Sequence, residues 1–152
     1  MDVSLKINSI LQNFGDSIGL TDLALKDNSV SLSFDDKLVV RIIYQAENEL
    51  LIFEAQITEC ANLDDAILRS LLAFNYHWSE HRLVFGLNLE EQQLCLYQHI
   101  DVETLDLAQF ETILAEQVAQ AERWAELLNI EDLEPEAELE RHHLTNISGI
   151  KV

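Results

Sequence analysis

The stretch SVSLSFDDKLVVRIIYQAENELLIFEAQI, residues 29–57, decides the fold. Its first six residues alternate polar and apolar, the period-two pattern of a strand with one wet face. Asp35-Asp36 then interrupts the pattern with two residues that favour a turn. Residues 38–45 and 50–57 read as two further strands, joined only by Ala46-Glu47-Asn48-Glu49. Connections this short impose antiparallel pairing. Leu23 and Leu25 sit just before an Asp27-Asn28 turn and are candidates for one more short strand.

Outward from this meander the period changes. Val3, Ile7, Ile10, Leu11, Phe14 and Ile18 recur at helical spacing, so residues 4–18 are expected to be a helix ending at Gly19. A second helix is expected over 62–78, capped by Asn62 or Asp64. Residues 82–89 and 93–100 form a second hairpin around Glu90-Glu91-Gln92. A third, long helix over 106–129 carries the stripe Leu107, Phe110, Leu114, Val118, Ala121, Ala125 and Leu128, with Trp124 beside it as a core residue. The order α-β-β-β-α-β-β-α predicts an α+β fold, with a mostly antiparallel twisted sheet of five or six strands and three helices.

The chain has 152 residues, of which 48% are hydrophobic, enough for one domain with a substantial core. Glycine is sparse and Pro135 is the sole proline, so residues 1–130 read as one uninterrupted domain. Residues 131–152 read as a separate acidic C-terminal tail whose composition is that of a mobile segment, with docking of part of it as the alternative. A formal charge of −19 repels phosphate backbones and anionic lipids, so nucleic acid and membrane surfaces are excluded as expected partners. Cys60 and Cys95 have no metal-ligand spacing, and no basic segment precedes an apolar run. The expectation is a soluble, cytoplasmic protein with reduced thiols.

The sheet is apolar on both sides. Val39 and Ile43 point away from Val40, Ile42 and Tyr44, and Leu50 and Ile52 point away from Leu51, Phe53, Ala55 and Ile57. In the last hairpin Leu83, Phe85, Leu87, Leu89, Leu94 and Leu96 form one face, and Val84, Cys95 and Tyr97 the other. An antiparallel sheet with one solvated side has a polar outer face. Either a helix crosses the second face, or its apolar residues are isolated, or that face binds a partner. The second helix repeats the signal. Ile67, Leu71, Phe74 and Trp78 form a stripe that Leu68 and Leu72 widen to roughly 160°, broader than a one-sided helix needs. A twofold-related copy is the simplest partner, so a homodimer is expected.

Candidate chemistry is weak beside this. His77-Trp78-Ser79-Glu80-His81 places two histidines at i, i+4, a spacing that can hold a metal, but it is not the His-Glu-x-x-His pattern. His142-His143 is weaker still. The adjacent acids Asp35-Asp36, Asp64-Asp65 and Glu90-Glu91 do not face each other across a pocket as catalytic carboxylates must. No phosphate loop, nucleophile elbow or Cys/His nucleophile setting is recognisable. No catalytic residue, metal or cofactor is expected, and the reading is not an enzyme.

The combination nevertheless resembles a known family. LALKDNSVSLSFDDKLVVRI (23–42), LLIFEAQI (50–57), LLAFNYHWSEHRLVFGLNLEEQQLCLYQHI (71–100) and FETILAEQVAQAERWAELL (110–128) together resemble the class I chaperones of type III secretion, the CesT/SycE-like family. The resemblance covers residues 1–129. It implies an ATP-independent homodimer that holds the N-terminal region of a secreted effector in a non-globular state and delivers it to the export apparatus. It implies apolar anchoring and addition of a client strand to a sheet edge. Carried over residue by residue, it implies a dimer seam at Ile67, Leu71, Phe74, Trp78 and Val84. Client binding is expected at Val39, Ile43, Leu50 and Ile52. The alternatives are a regulatory or adaptor domain of the same fold that binds a folded protein, and a small-ligand or metal-binding protein using His77 and His81.

Overall fold

A computed structural model of the protein describes residues 2–128. The proposed tail, 131–152, and His142-His143 lie outside the described residues. The elements are α1 (Val3–Ser17), β1 (Ser29–Phe34), β2 (Leu38–Gln45), β3 (Leu50–Glu59), α2 (Asp65–Tyr76), a single turn α3 (Trp78–His81), β4 (Val84–Asn88), β5 (Gln93–Asp101) and α4 (Leu107–Leu128). One antiparallel sheet has the order β1-β2-β3-β5-β4.

The meander forms where the alternation places it. Asp27 and Asn28 both take positive φ, at 52° and 64°, and Lys26 and Ser29 exchange backbone hydrogen bonds across them. That turn leaves one isolated bridge at Lys26 and no strand at Leu23–Leu25, so the sheet has five strands. Asp35 and Asp36, at 53° and 56°, close the next turn in the same left-handed region, which Asp tolerates better than most residues.

Helix α1 ends as its glycines require. Gly19 adopts φ 83°, the Gly19 amide donates to Asp16 O and the Leu20 amide to Gly15 O, a Schellman close. A Cβ on Gly15 would lie 2.8 Å from Leu20 O, so a glycine permits this return of the chain. α2 is capped by Asp64, whose carboxylate accepts from the Ile67 amide at 2.8 Å.

The core lies on one face of the sheet. Val40, Ile42, Leu51, Phe53, Ala55 and Leu96 are fully buried there. α4 packs over β3, α1 packs against α4, and α2 packs beside β4. Phe110 links these layers, 5.3 Å from Phe14 and 5.6 Å from Phe53 between ring centroids. Trp124 is buried, as its position beside the stripe predicts, against Phe74 and Phe85. Leu87 and Leu89 lie at the far end of this hairpin face. They share the parity of Phe85 but are exposed.

Gln117 is a polar residue in the middle of this layer and has no exposure. Its Nε2 donates to Leu96 O at 2.6 Å and its Oε1 accepts from Gln98 Nε2 at 2.8 Å. A buried amide satisfied on both ends fixes the rotation of α4 on the β3–β5 pair.

Candidate functional site

Two rows of cross-strand neighbours cross the middle of the outer sheet face. Ser31, Arg41, Glu54, Tyr97 and Val84 form one row; Ser29, Ile43, Ile52 and His99 form the next. Ile43 and Ile52 are directly paired, and Leu50 lies two residues along from Ile52 on the same face. All three are half-buried and make one contiguous apolar patch. Val39 is half-buried too but lies on the far side of the Arg41 row.

Arg41 divides the face. Its Nη2 bonds Glu54 Oε1 at 2.5 Å, and its Nη1 lies 3.7 Å from Glu91 Oε1. The hydrogen bond to Glu54 raises the guanidinium pKa further, against the opposing effect of burial. The same surroundings act on Cys95. Burial first, then the Glu54 carboxylate, pushes its thiol up to about 12, with Arg41 opposing. Cys95 is therefore a buried, protonated thiol of the outer face and not a nucleophile. Gly86 lies beneath Tyr97, where a Cβ would come within 3.1 Å of the ring.

The α2 corner divides the expected seam residues. Leu71 is buried, and Phe74 is half-buried in the protomer's own aromatic cluster, 5.1 Å from Phe85 and 5.6 Å from Trp124. Ile67 is half-buried on the same helix. Trp78 leaves that helix: α2 stops at Tyr76, and Trp78 begins the separate turn α3. It is 57% exposed and shares a hollow with Val84, Arg82, Tyr97 and His99 on the outer side of β4. Leu72 and Tyr76, at 68% and 82%, add apolar surface beside it.

The histidines of this corner have local partners. His77 Nδ1 lies 3.4 Å from Glu80 Oε2. His81 stacks on Phe74 at 4.0 Å, its Nε2 meets Phe74 O at 3.1 Å, and its Nδ1 accepts from the Leu83 amide at 3.3 Å. Those contacts fix the tautomer with hydrogen on Nε2 and occupy both ring nitrogens. Among the described residues no group of three His, Cys, Asp or Glu side chains is placed to hold a metal ion.

The two sheet edges are treated differently. On β4 the Asn75 side chain acts as a substitute strand: its Nδ2 donates to Phe85 O at 3.0 Å and its Oδ1 accepts from the Phe85 amide at 2.7 Å. On β1 the Tyr44 amide donates to Asn28 O, which sets even-numbered β1 residues toward β2. The amides and carbonyls of Ser31 and Ser33 therefore face outward. Beside them runs a groove lined by Ile18, Leu20, Leu23, Leu32 and Phe34, together with Asp22 and Asp35. Its outer wall is held by the Schellman close and by Asn8, whose Oδ1 accepts from the Leu25 amide at 2.9 Å.

Asn75, Asn8 and Gln117 were not evident as site-building residues. Their common signal is an amide side chain within or beside an apolar stripe, a position where burial without a partner is costly.

Residues 9–125 match the model of the Tir chaperone protein (CesT) family. The chain belongs to that family. Its members are type III secretion chaperones. This CesT-family chain is 36% identical over 129 residues to the transcriptional anti-antiactivator ExsC of Pseudomonas aeruginosa, covering 84% of this chain and 89% of ExsC. The crystal structure of the ExsC–ExsE complex contains a chain that superposes with a TM-score of 0.79 at the same identity, covering 84% of this chain and 97% of that one. A chain of the HopA1–SchA chaperone–effector complex gives 0.72 at 19% identity, covering 83% of this chain and 98% of its own, a likeness of fold. Among the described residues no helix is long and apolar enough to cross a membrane.

Proposed function

We propose that this protein is a homodimeric, ATP-independent cytoplasmic chaperone that holds the N-terminal region of a type III secreted protein in a non-globular state for export. The observation that carries the reading is apolar surface left uncovered on a chain of charge −19. It lies in two places, and each has an occupant. The second copy takes the α2 corner, with Trp78, Leu72, Tyr76 and Val84 at its centre and Ile67, Leu71 and Phe74 supporting it from within. The client takes the outer patch of Ile43, Ile52 and Leu50, reaches Val39 past the Arg41–Glu54 pair, and adds a strand at the β1 edge. Ser31 and Ser33 offer that strand backbone partners, whereas Asn75 occupies the corresponding positions at Phe85.

A regulatory outcome is favoured by one specific observation. The relative matched over 89% of its length is named a transcriptional anti-antiactivator, and its structure was solved with ExsE. In this reading the chain binds a counterpart of ExsE and also opposes a transcriptional antiactivator. Coexpression with the N-terminal segment of a secreted protein encoded nearby tests the chaperone reading. The segment is expected to become soluble and to elute with a dimer of the chain. A segment that stays insoluble, or a chain that captures only folded partners, would overturn it.

A further inference from the structure

The Arg41 row of the outer face is out of electrical balance. One guanidinium faces two carboxylates. Glu54 Oε1 takes the bond from Nη2, whereas Glu91 Oε1 stands 3.7 Å from Nη1, too far for a hydrogen bond. Among the described residues Nε has no partner, and no second cation is paired with Glu54 or Glu91. Glu91 belongs to the β4–β5 turn and reaches back over the sheet, where its other oxygen accepts from Gln56 Nε2 at 3.3 Å. Glu90 of the same turn lines a hollow with Glu54, Gly86, Cys95 and Tyr97, which adds a third carboxylate beside the row.

This row separates two apolar areas. Ile43 and Val39 lie on either side of Arg41 along β2, each two residues away, and Ile52 pairs with Ile43. Two residues of strand span about 6.6 Å, so the areas are close enough for one segment to cover both. A segment that does so also covers Glu54 and Glu91, whose side chains keep 19% and 45% of their exposure to water. Covering removes that water, and a carboxylate left without a counter-charge there is costly.

We propose that Glu54 and Glu91 select a client segment that carries a lysine or arginine between two apolar anchors. This deepens the client reading above and rests on it. An extended segment running along β2 meets successive rows at every second residue, so the selected pattern is apolar-x-basic-x-apolar. The added cation brings the row to two cations against two carboxylates. An acidic residue at the same place would set a third carboxylate against one guanidinium, so the row rejects as well as selects. The apolar anchors hold the segment, and the base decides which segment is held.

Selection from a display library of random peptides on the full-length chain tests this without a known client. Selected sequences are expected to carry lysine or arginine two residues from an apolar residue on each side. Replacing that base by glutamine in a selected peptide is expected to weaken binding about ten-fold, the worth of one charge-assisted hydrogen bond. Glu54→Gln/Glu91→Gln should remove most of that penalty, and Glu91→Gln alone, which leaves the Arg41–Glu54 bond intact, should remove part of it. Glu111→Gln/Glu116→Gln takes the same charge from exposed positions on α4 and should leave the penalty unchanged. A penalty that survives the first pair, or falls equally with the control pair, overturns the proposal. Binding that Ile43→Asp/Ile52→Asp abolishes but that is blind to the base sinks this proposal alone. Binding that survives those two substitutions, or a library that yields no binder, sinks the client face assigned above and this proposal with it.

Discussion

Replacing Gln117 by leucine keeps its volume and removes both ends of its amide. Gln98 Nε2 then loses its 2.8 Å acceptor inside the core, and Leu96 O loses a 2.6 Å donor. An orphaned buried amide costs about 1–3 kcal/mol, and the lost bond to the carbonyl adds about 0.5–1.5 kcal/mol. Burial of the leucine offsets part of this. Gln117→Leu is therefore expected to destabilise by about 2 kcal/mol, a roughly 30-fold change in the folded-to-unfolded ratio. Gln98→Leu/Gln117→Leu removes both amides together and should recover half or more of the loss, because no side-chain orphan remains. Urea unfolding at one fixed protein concentration gives both values, and an unchanged slope shows that the denatured state is comparable. The decisive quantity is the coupling energy of the cycle, expected at about 1–2 kcal/mol. A single substitution costing under about 0.5 kcal/mol, or a double equal to the sum of the singles, would refute the role assigned to this amide pair.

Trp78→Asp, present in both subunits, should shift the dimer toward monomer by about 10,000-fold in Kd, because roughly 100–150 Å² of exposed indole contributes about 3 kcal/mol per subunit when buried; light scattering reading 17.4 kDa for the wild type at every concentration would refute the seam. Ile43→Asp/Ile52→Asp should abolish client capture while circular dichroism and dimer mass persist, and normal capture would show the client face to lie elsewhere. Stability should fall as pH rises above about 9, measured by urea titration. The unfolded thiol of Cys95 ionises from its ordinary value of 9.0, while the folded one holds its proton up to about 12, so the unfolded state gains. Cys95→Ala should flatten that slope, and an unchanged slope would assign the loss to other groups.

The meander was legible because its alternation runs through β1 and its turns carry the residues that turns need. The third helix was legible because a stripe of that length admits one reading. What failed did so locally. The apolar stripe of the second helix continued to Trp78, yet the helix stops at Tyr76 because Asn75 turns its amide onto Phe85 and His81 folds back on Phe74. Those are tertiary contacts, and spacing carries no record of them. The apolar outer face was also legible, but its division was not. Arg41 reads in sequence as an isolated charge between Val39 and Ile43, and only the register places it opposite Glu54. The β1 groove was the least visible feature, since it depends on a helix close at Gly15–Leu20 and on one hydrogen bond from Leu25 to Asn8.

The acidity and the apolar surface belong to one solution of one problem. A protein built to hold unfolded chains must expose apolar side chains, and such patches draw copies of it together. A charge of −19 opposes that drift at long range and leaves close, shape-matched contacts available. It cannot itself be the main hold on a client. Exposed ion pairs contribute about 0–1 kcal/mol each and weaken with salt, whereas burying one leucine or isoleucine contributes about 1.5–3 kcal/mol. In the proposed arrangement two anchors on Ile43 and Ile52 would outweigh several rim charges, and the charge would act on encounter rate and solubility instead. The treatment of the sheet edges follows the same logic. Asn75 plugs β4 at Phe85 beside the α2 corner, while the β1 edge stays short and flanked by Asp22 and Asp35. Acids beside this edge disfavour another copy of this acidic chain and favour a basic, apolar strand, the chemistry the proposed client would bring.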